Sequence, residues 1–143
     1  MQLLEWNNEK MALGIKSIDE QHKELLNIIN QLTTTIKENS QKRDILTIVN
    51  QLIKYAKFHF NEEEKLFDKF NYKESIEHKH EHTKFLDKFN ELENNIINNT
   101  TYKNKSAIEI SEDVFNFLTK WFIEHIIGND RKYVELFKEQ GIK

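Results

Sequence analysis

Cysteine and proline are absent from this chain of 143 residues, and glycine occurs only at Gly14, Gly128 and Gly141. Without cysteine there is no disulfide framework, no thiolate metal ligand and no cysteine nucleophile, so any metal must be held through nitrogen and oxygen. So few breakers cannot punctuate a strand-and-turn fold, and long helices fit better. Long apolar runs are missing too: nothing approaches the roughly 20 residues that cross a bilayer. The stretch from Met1 to Asn8 lacks the basic start and apolar run of a secretory signal. A formal net charge of -3 leaves no basic surplus for gripping phosphates, which argues against nucleic-acid binding. These absences predict a cytoplasmic protein that binds neither membrane nor nucleic acid.

With 38% hydrophobic and 31% charged residues, the composition is that of a globular protein, and the length suits one domain. Residues 1–16 show little periodicity and carry Trp6, Met11, Leu13 and Ile15 as scattered anchors, the pattern of an ordered arm lying over the rest. Ser17 and Glu20 have capping-box spacing and open a first helix over about 17–39, whose stripe is Ile18, Leu25, Leu26, Ile29, Leu32 and Ile36. A second stripe runs from Ile45 through Leu52, Ala56 and Phe60 to Phe67, predicting a helix over about 43–69. Ile76, Phe85, Phe89, Leu92 and Ile96 predict a third over about 73–97. The asparagine-rich segment from Ile97 to Lys105 reads as a loop, and its glycosylation-like triplets at Asn98, Asn99 and Asn104 as loop composition. Ser106 and Glu109 repeat the capping spacing ahead of a fourth helix over about 106–129, with a tail helix over about 130–140. The expected fold is therefore all-α: an up-down-up-down antiparallel four-helix bundle with an N-terminal arm and a short C-terminal helix.

Chemistry concentrates in the six histidines. His59 and Glu63 stand four apart, as do His78 and His82, so each pair projects from one helix face. His22 adds a candidate from the first helix and His125 one from the fourth. Asp130, five residues beyond His125, lies roughly 140° around a regular helix and fits one ion poorly, unless the turn is widened near Gly128 or Asp130 bridges to a neighbouring metal. His80 is turned roughly 200° from the face shared by His78 and His82 and belongs in solvent. Glu62 and Glu64 flank Glu63 but point elsewhere. Seven candidates exceed the roughly four ligands of a tetrahedral site and suggest two ions. Spacing does not choose the element: imidazole with carboxylate suits iron, zinc, copper or manganese.

Four segments, Ile18-Asp-Glu-Gln-His22, His59-Phe-Asn-Glu-Glu63, His78-Lys-His-Glu-His82 and Trp121-Phe-Ile-Glu-His125-Ile-Ile-Gly-Asn-Asp130, together resemble the hemerythrin family, in particular its single-domain bacterial members. Lys73 departs from the proline common there, a local difference at the start of the third helix. The resemblance implies two iron ions joined by an oxo or hydroxo bridge. His78, His82 and His125 would ligate one iron and His22 and His59 the other, with Glu63 and Asp130 bridging. Dioxygen would bind reversibly at the iron with two histidines, for carriage, storage or delivery.

The same resemblance puts Leu25, Trp121, Phe122 and Ile126 beside the oxygen site; large apolar residues at helical spacing are also ordinary core, and the two roles are compatible. Competing readings are a di-iron oxidase, peroxidase or nitric-oxide-handling enzyme, metal buffering, and an oxygen or iron sensor acting through a separate partner. A histidine-rich site favours binding over catalysis. The remaining expectations are a monomer and a protein that accepts the oxygen.

Overall fold

The computed structural model describes residues 3–98 and 102–143, with Ile126 and Ile127 described by their backbone alone. Residues 99–101 of the expected loop lie outside the described residues. The elements in order are α1 (Asn8–Met11), α2 (Lys16–Thr34), α3 (Lys42–Lys69), α4 (Ser75–Asn98) and α5 (Ala107–Ile123). A π-helical turn (Glu124–Asn129), a 3-10 turn (Asp130–Tyr133) and α6 (Val134–Glu139) complete the chain's described elements. The fold is an all-α four-helix bundle: α2 packs on α3 and α5, and α3 packs on α4. No described helix is long and apolar enough to cross a membrane.

The helix starts depart from the capping pattern in places. α2 has no side-chain cap; its N-cap is Ile15, and Ser17 already lies inside the helix, exposed. The expected box at Ser17 does not form because Asp19 reaches back instead, accepting hydrogen bonds from the backbone N–H of Leu13 (2.8 Å) and Gly14 (3.1 Å). Gly14 sits at φ 81, a left-handed conformation that suits glycine, and this bend carries the arm into the helix. α2 stops at Thr34, short of the expected Asn39, and the next helix is opened by a capping box between Gln41 and Asp44. At α5 the hydroxyl of Ser106 accepts from the N–H of Glu109 (3.2 Å).

Buried apolar residues form two bodies. The larger fills most of the bundle and includes Leu25, Ile29, Leu52, Phe60, Phe89, Leu118, Trp121 and Phe122. The smaller closes one end: Leu13 and Ile15 from the arm, Ile18, Phe67, and Tyr133 and Phe137 from the C-terminal turns. Tyr133 and Phe137 stack with ring centroids 4.5 Å apart, and Phe67 meets them at 5.5 and 6.0 Å. Along α2 and α3 the two bodies are separated by His22 on one helix and Glu63 on the other, so a polar layer lies between core and plug. The arm is further tied down where Leu4 and the Asn30 side chain exchange two hydrogen bonds (3.0 and 2.9 Å).

Candidate metal centre

That polar layer contains every metal candidate of the sequence. His22, His59, Glu63, His78, His82, His125 and Asp130 are all buried, and the structure gathers them at one level of the bundle. Nε2 of His22 lies 2.8 Å from Oδ2 of Asp130, and Nε2 of His125 lies 3.0 Å from the same oxygen. Nε2 of His78 is 3.1 Å from Oδ1 of Asp130. Oε1 of Glu63 is 2.8 Å from Nε2 of His59, 3.4 Å from that of His82 and 3.9 Å from that of His125. Two overlapping groups have ligand atoms within 4.8 Å of one another: His22, His59, His125 and Asp130, and His78, His82, His125 and Asp130. His80 is exposed and takes no part.

Asp130 reaches this layer because the helix widens ahead of it. In a regular helix it would point away from His125, but residues Glu124–Asn129 form a π-helical turn and both side chains meet at 3.0 Å. The widening spans Gly128 without depending on it, since a Cβ at that position would meet nothing within 4 Å among the described residues.

Close approach has not made these groups satisfied. Both oxygens of Glu63, Oδ2 of Asp130, and Nε2 of His82 and His125 are buried without a well-oriented hydrogen bond among the described residues. Nε2 of His22 faces Nε2 of His59 across 3.1 Å. Lone pairs converging this closely in a dry interior are costly unless a cation sits among them. The donor set thus fits a metal held by imidazole nitrogen and carboxylate oxygen.

The protonation states agree with this. Burial acts to raise the Glu63 carboxyl, yet His59, His125 and His82 hold it well below the usual carboxylate range. Asp130 is held low as well: burial and the Glu63 charge oppose this, and His125 and His22 overcome them. Burial dominates at His22 and pulls it below 6.5, whereas at His125 the pull of Asp130 and Glu63 exceeds the burial penalty and pushes it up to about 10. Without metal, a protonated His125 therefore supplies positive charge to the two buried carboxylates.

Two flanking residues complete the centre. Nδ1 of His59 donates to Oε1 of Gln21 (2.7 Å), and Nδ1 of His82 donates to Oε2 of Glu64 (2.9 Å). A proton fixed on Nδ1 leaves the Nε2 lone pair free to face the interior. Glu64 turns away from Glu63 and meets His82 on the next helix, a contact that the sequence spacing does not reveal. Glu62 pairs with Lys65 at 3.6 Å. The buried Tyr133 hydroxyl has no hydrogen-bond partner among the described residues; burial, then the charges of Asp130 and Glu63, raise it well above 10, so it stays protonated.

Aromatic rings wall the layer. Phe60 stacks on His82 at 4.0 Å, Trp121 on His125 at 5.5 Å, and Phe122 stands 6.4 Å from His22. Leu25, one turn beyond His22, is fully buried in the main core. The side chain of Ile126, the fourth expected pocket residue, lies outside the described residues.

Comparison with known proteins places this arrangement. A family model described as the hemerythrin HHE cation-binding domain matches residues 13–137. A bacteriohemerythrin of Clostridium acetobutylicum is 34% identical over 133 residues, covering 91% of this chain and 98% of the relative. A hemerythrin-like protein of Naegleria gruberi is 27% identical over 128 residues, covering 90% and 88%. The crystal structure of a wild-type hemerythrin shares the fold with a TM-score of 0.78 at 24% identity, over 94% of this chain and 98% of the other. With a family match spanning nearly the whole bundle and a relative aligned almost end to end, this chain belongs to the hemerythrin family.

Proposed function

We propose that the chain binds dioxygen reversibly at a non-haem centre of two iron ions. One observation carries the reading: each buried carboxylate stands between histidines of different helices. Asp130 offers Oδ2 to His22 and Oδ1 to His78, and Oε1 of Glu63 lies within 3.4 Å of both His59 and His82. A single ion takes about four ligands in a tetrahedral site, whereas carboxylates with a partner on either side suit two adjacent ions. This supports His22 and His59 on one iron and His78, His82 and His125 on the other, with Glu63 and Asp130 shared. His125 is within reach of both groups, so its assignment leans on the family pattern.

Held by His22, His59, His78, His82 and His125 with Glu63 and Asp130, a pair of ferrous ions would supply reversible two-electron chemistry toward dioxygen. The protein's part is to keep that exchange dry and closed to other reactants. Phe60, Trp121 and Phe122 press against the histidine rings, and Leu25 closes the core beside His22. In this reading Leu25, Trp121, Phe122 and Ile126 line the oxygen pocket. Five imidazoles against two carboxylates make a neutral-rich ligand set, unlike the carboxylate-rich sites of oxygen-activating bundles, and this favours binding over oxidase or peroxidase chemistry. The biological role would be carriage, storage or delivery of oxygen in the cytoplasm.

A reduced, anaerobic sample exposed to oxygen should gain a visible charge-transfer band and lose it on deoxygenation. His22→Ala or His59→Ala should weaken iron loading and abolish the band, and His80→Ala should leave both unchanged. Sustained consumption of an added reductant or peroxide would instead favour an enzyme.

A further inference from the structure

We propose that a small acidic cavity over His78 is the port through which ferrous iron enters the centre; this rests on the di-iron reading above. The cavity, about 100 Å³, is walled by Glu74, Glu77, His78, Glu81, Asn129 and Lys132. Glu74, Glu77, His78 and Glu81 recur at threes and fours, so they share one face around the start of α4. His78 belongs at once to this wall and to the group of side chains able to hold a metal, with Nε2 on Asp130. Asn129 brings the backbone next to Asp130 to the same wall.

Among the described residues the cover over the other ligands is thicker. Among the seven expected ligands, His78 is the most exposed at 5%, His82 follows at 2%, and the other five are at 0%. The bundle end nearest the site is blocked by Phe67, Tyr133 and Phe137, and Nδ1 of His82 is already taken by Glu64. Nδ1 of His78, by contrast, makes no hydrogen bond among the described residues. An incoming ion therefore meets its thinnest cover at the point where three carboxylates face one lysine. Carboxylates grouped at a concave mouth raise the local concentration of divalent cations, and they can replace part of the ion's water shell before imidazole takes over. Such steering weakens as salt rises.

The test monitors uptake of ferrous iron by the metal-free chain, anaerobically and at low salt, by stopped flow against a chromogenic chelator. E74Q/E77Q/E81Q should load roughly tenfold or more slowly while reaching the same final iron content, and added salt should narrow the difference. K132E should load faster than the unaltered chain. A control with the same charge change at distant exposed positions, E38Q/E91Q/E112Q, should load at the unaltered rate. Equal rates for the cavity variant and the unaltered chain, or equal slowing in the control, would overturn the port. An unaltered chain that takes up no iron would defeat the di-iron reading itself, and the port with it.

Discussion

His59 and His82 are each gripped from behind, one by an amide and the other by a carboxylate. Glu64 does more than orient a ring, because an ionised carboxylate on Nδ1 raises the basicity of the opposite nitrogen. Glu64→Ala should weaken iron retention about 10- to 100-fold, measured by chelator competition, with the fold intact by circular dichroism. Glu64→Gln, which can still accept the hydrogen bond, should recover part of the loss. His125 gives a second prediction at this scale, for the metal-free chain. Its folded pKa, about 10, lies above its ordinary 6.5, so the stabilisation is complete below 6.5 and is lost as pH rises toward 10. His22 is lowered, so it is neutral in both states over most of that window and adds an opposing slope only near its lower edge, where the unfolded imidazole still takes up a proton. Thermal midpoints of the metal-free chain should fall between pH 6.5 and 10, whereas iron in place of the proton should flatten that fall. A metal-free midpoint that is flat across this window would contradict the assigned charge on His125.

At the scale of elements, the π-helical turn decides whether Asp130 belongs to the centre. Removing one residue from Glu124–Asn129 should restore a regular helix and rotate the downstream residues, Asp130 first among them, by about 100°. Deleting Gly128 should therefore abolish iron binding while helical content stays nearly unchanged. Gly128→Ala should bind iron normally, since the added methyl meets nothing within 4 Å among the described residues. The sequence carries this feature as a conflict, a carboxylate five residues from a histidine, which a regular helix cannot reconcile. Histidine pairs four apart are plain because both members sit on one helix. Glu64 is not, because its partner His82 is on the neighbouring helix, and no periodicity within α3 reveals the register between the two. Gln21 is hidden for the same reason. At Ser17 the spacing misleads because Asp19 can bind the preceding backbone from inside the helix, an option that spacing alone does not rank.

For the whole molecule, the organising feature is a charged layer sealed between two apolar bodies. The arm and the C-terminal turns contribute Leu13, Ile15, Tyr133 and Phe137 to the smaller body, so segments distant in sequence from most of the histidines close the site. Phe137→Ala should cost about 3 to 5 kcal/mol in urea unfolding. It should also hasten oxidation of the reduced protein, since water gains a route past Tyr133. A variant that is destabilised yet oxidises at the unaltered rate would show that the plug supports the fold without protecting the centre.

Coupled measurement of iron content and oxygen uptake tests the central claim most directly. The reduced chain, loaded with iron, should take up one dioxygen for every two irons and return it on deoxygenation through repeated cycles. Failure to take up oxygen, or steady consumption that returns none, would contradict reversible binding at a paired iron centre.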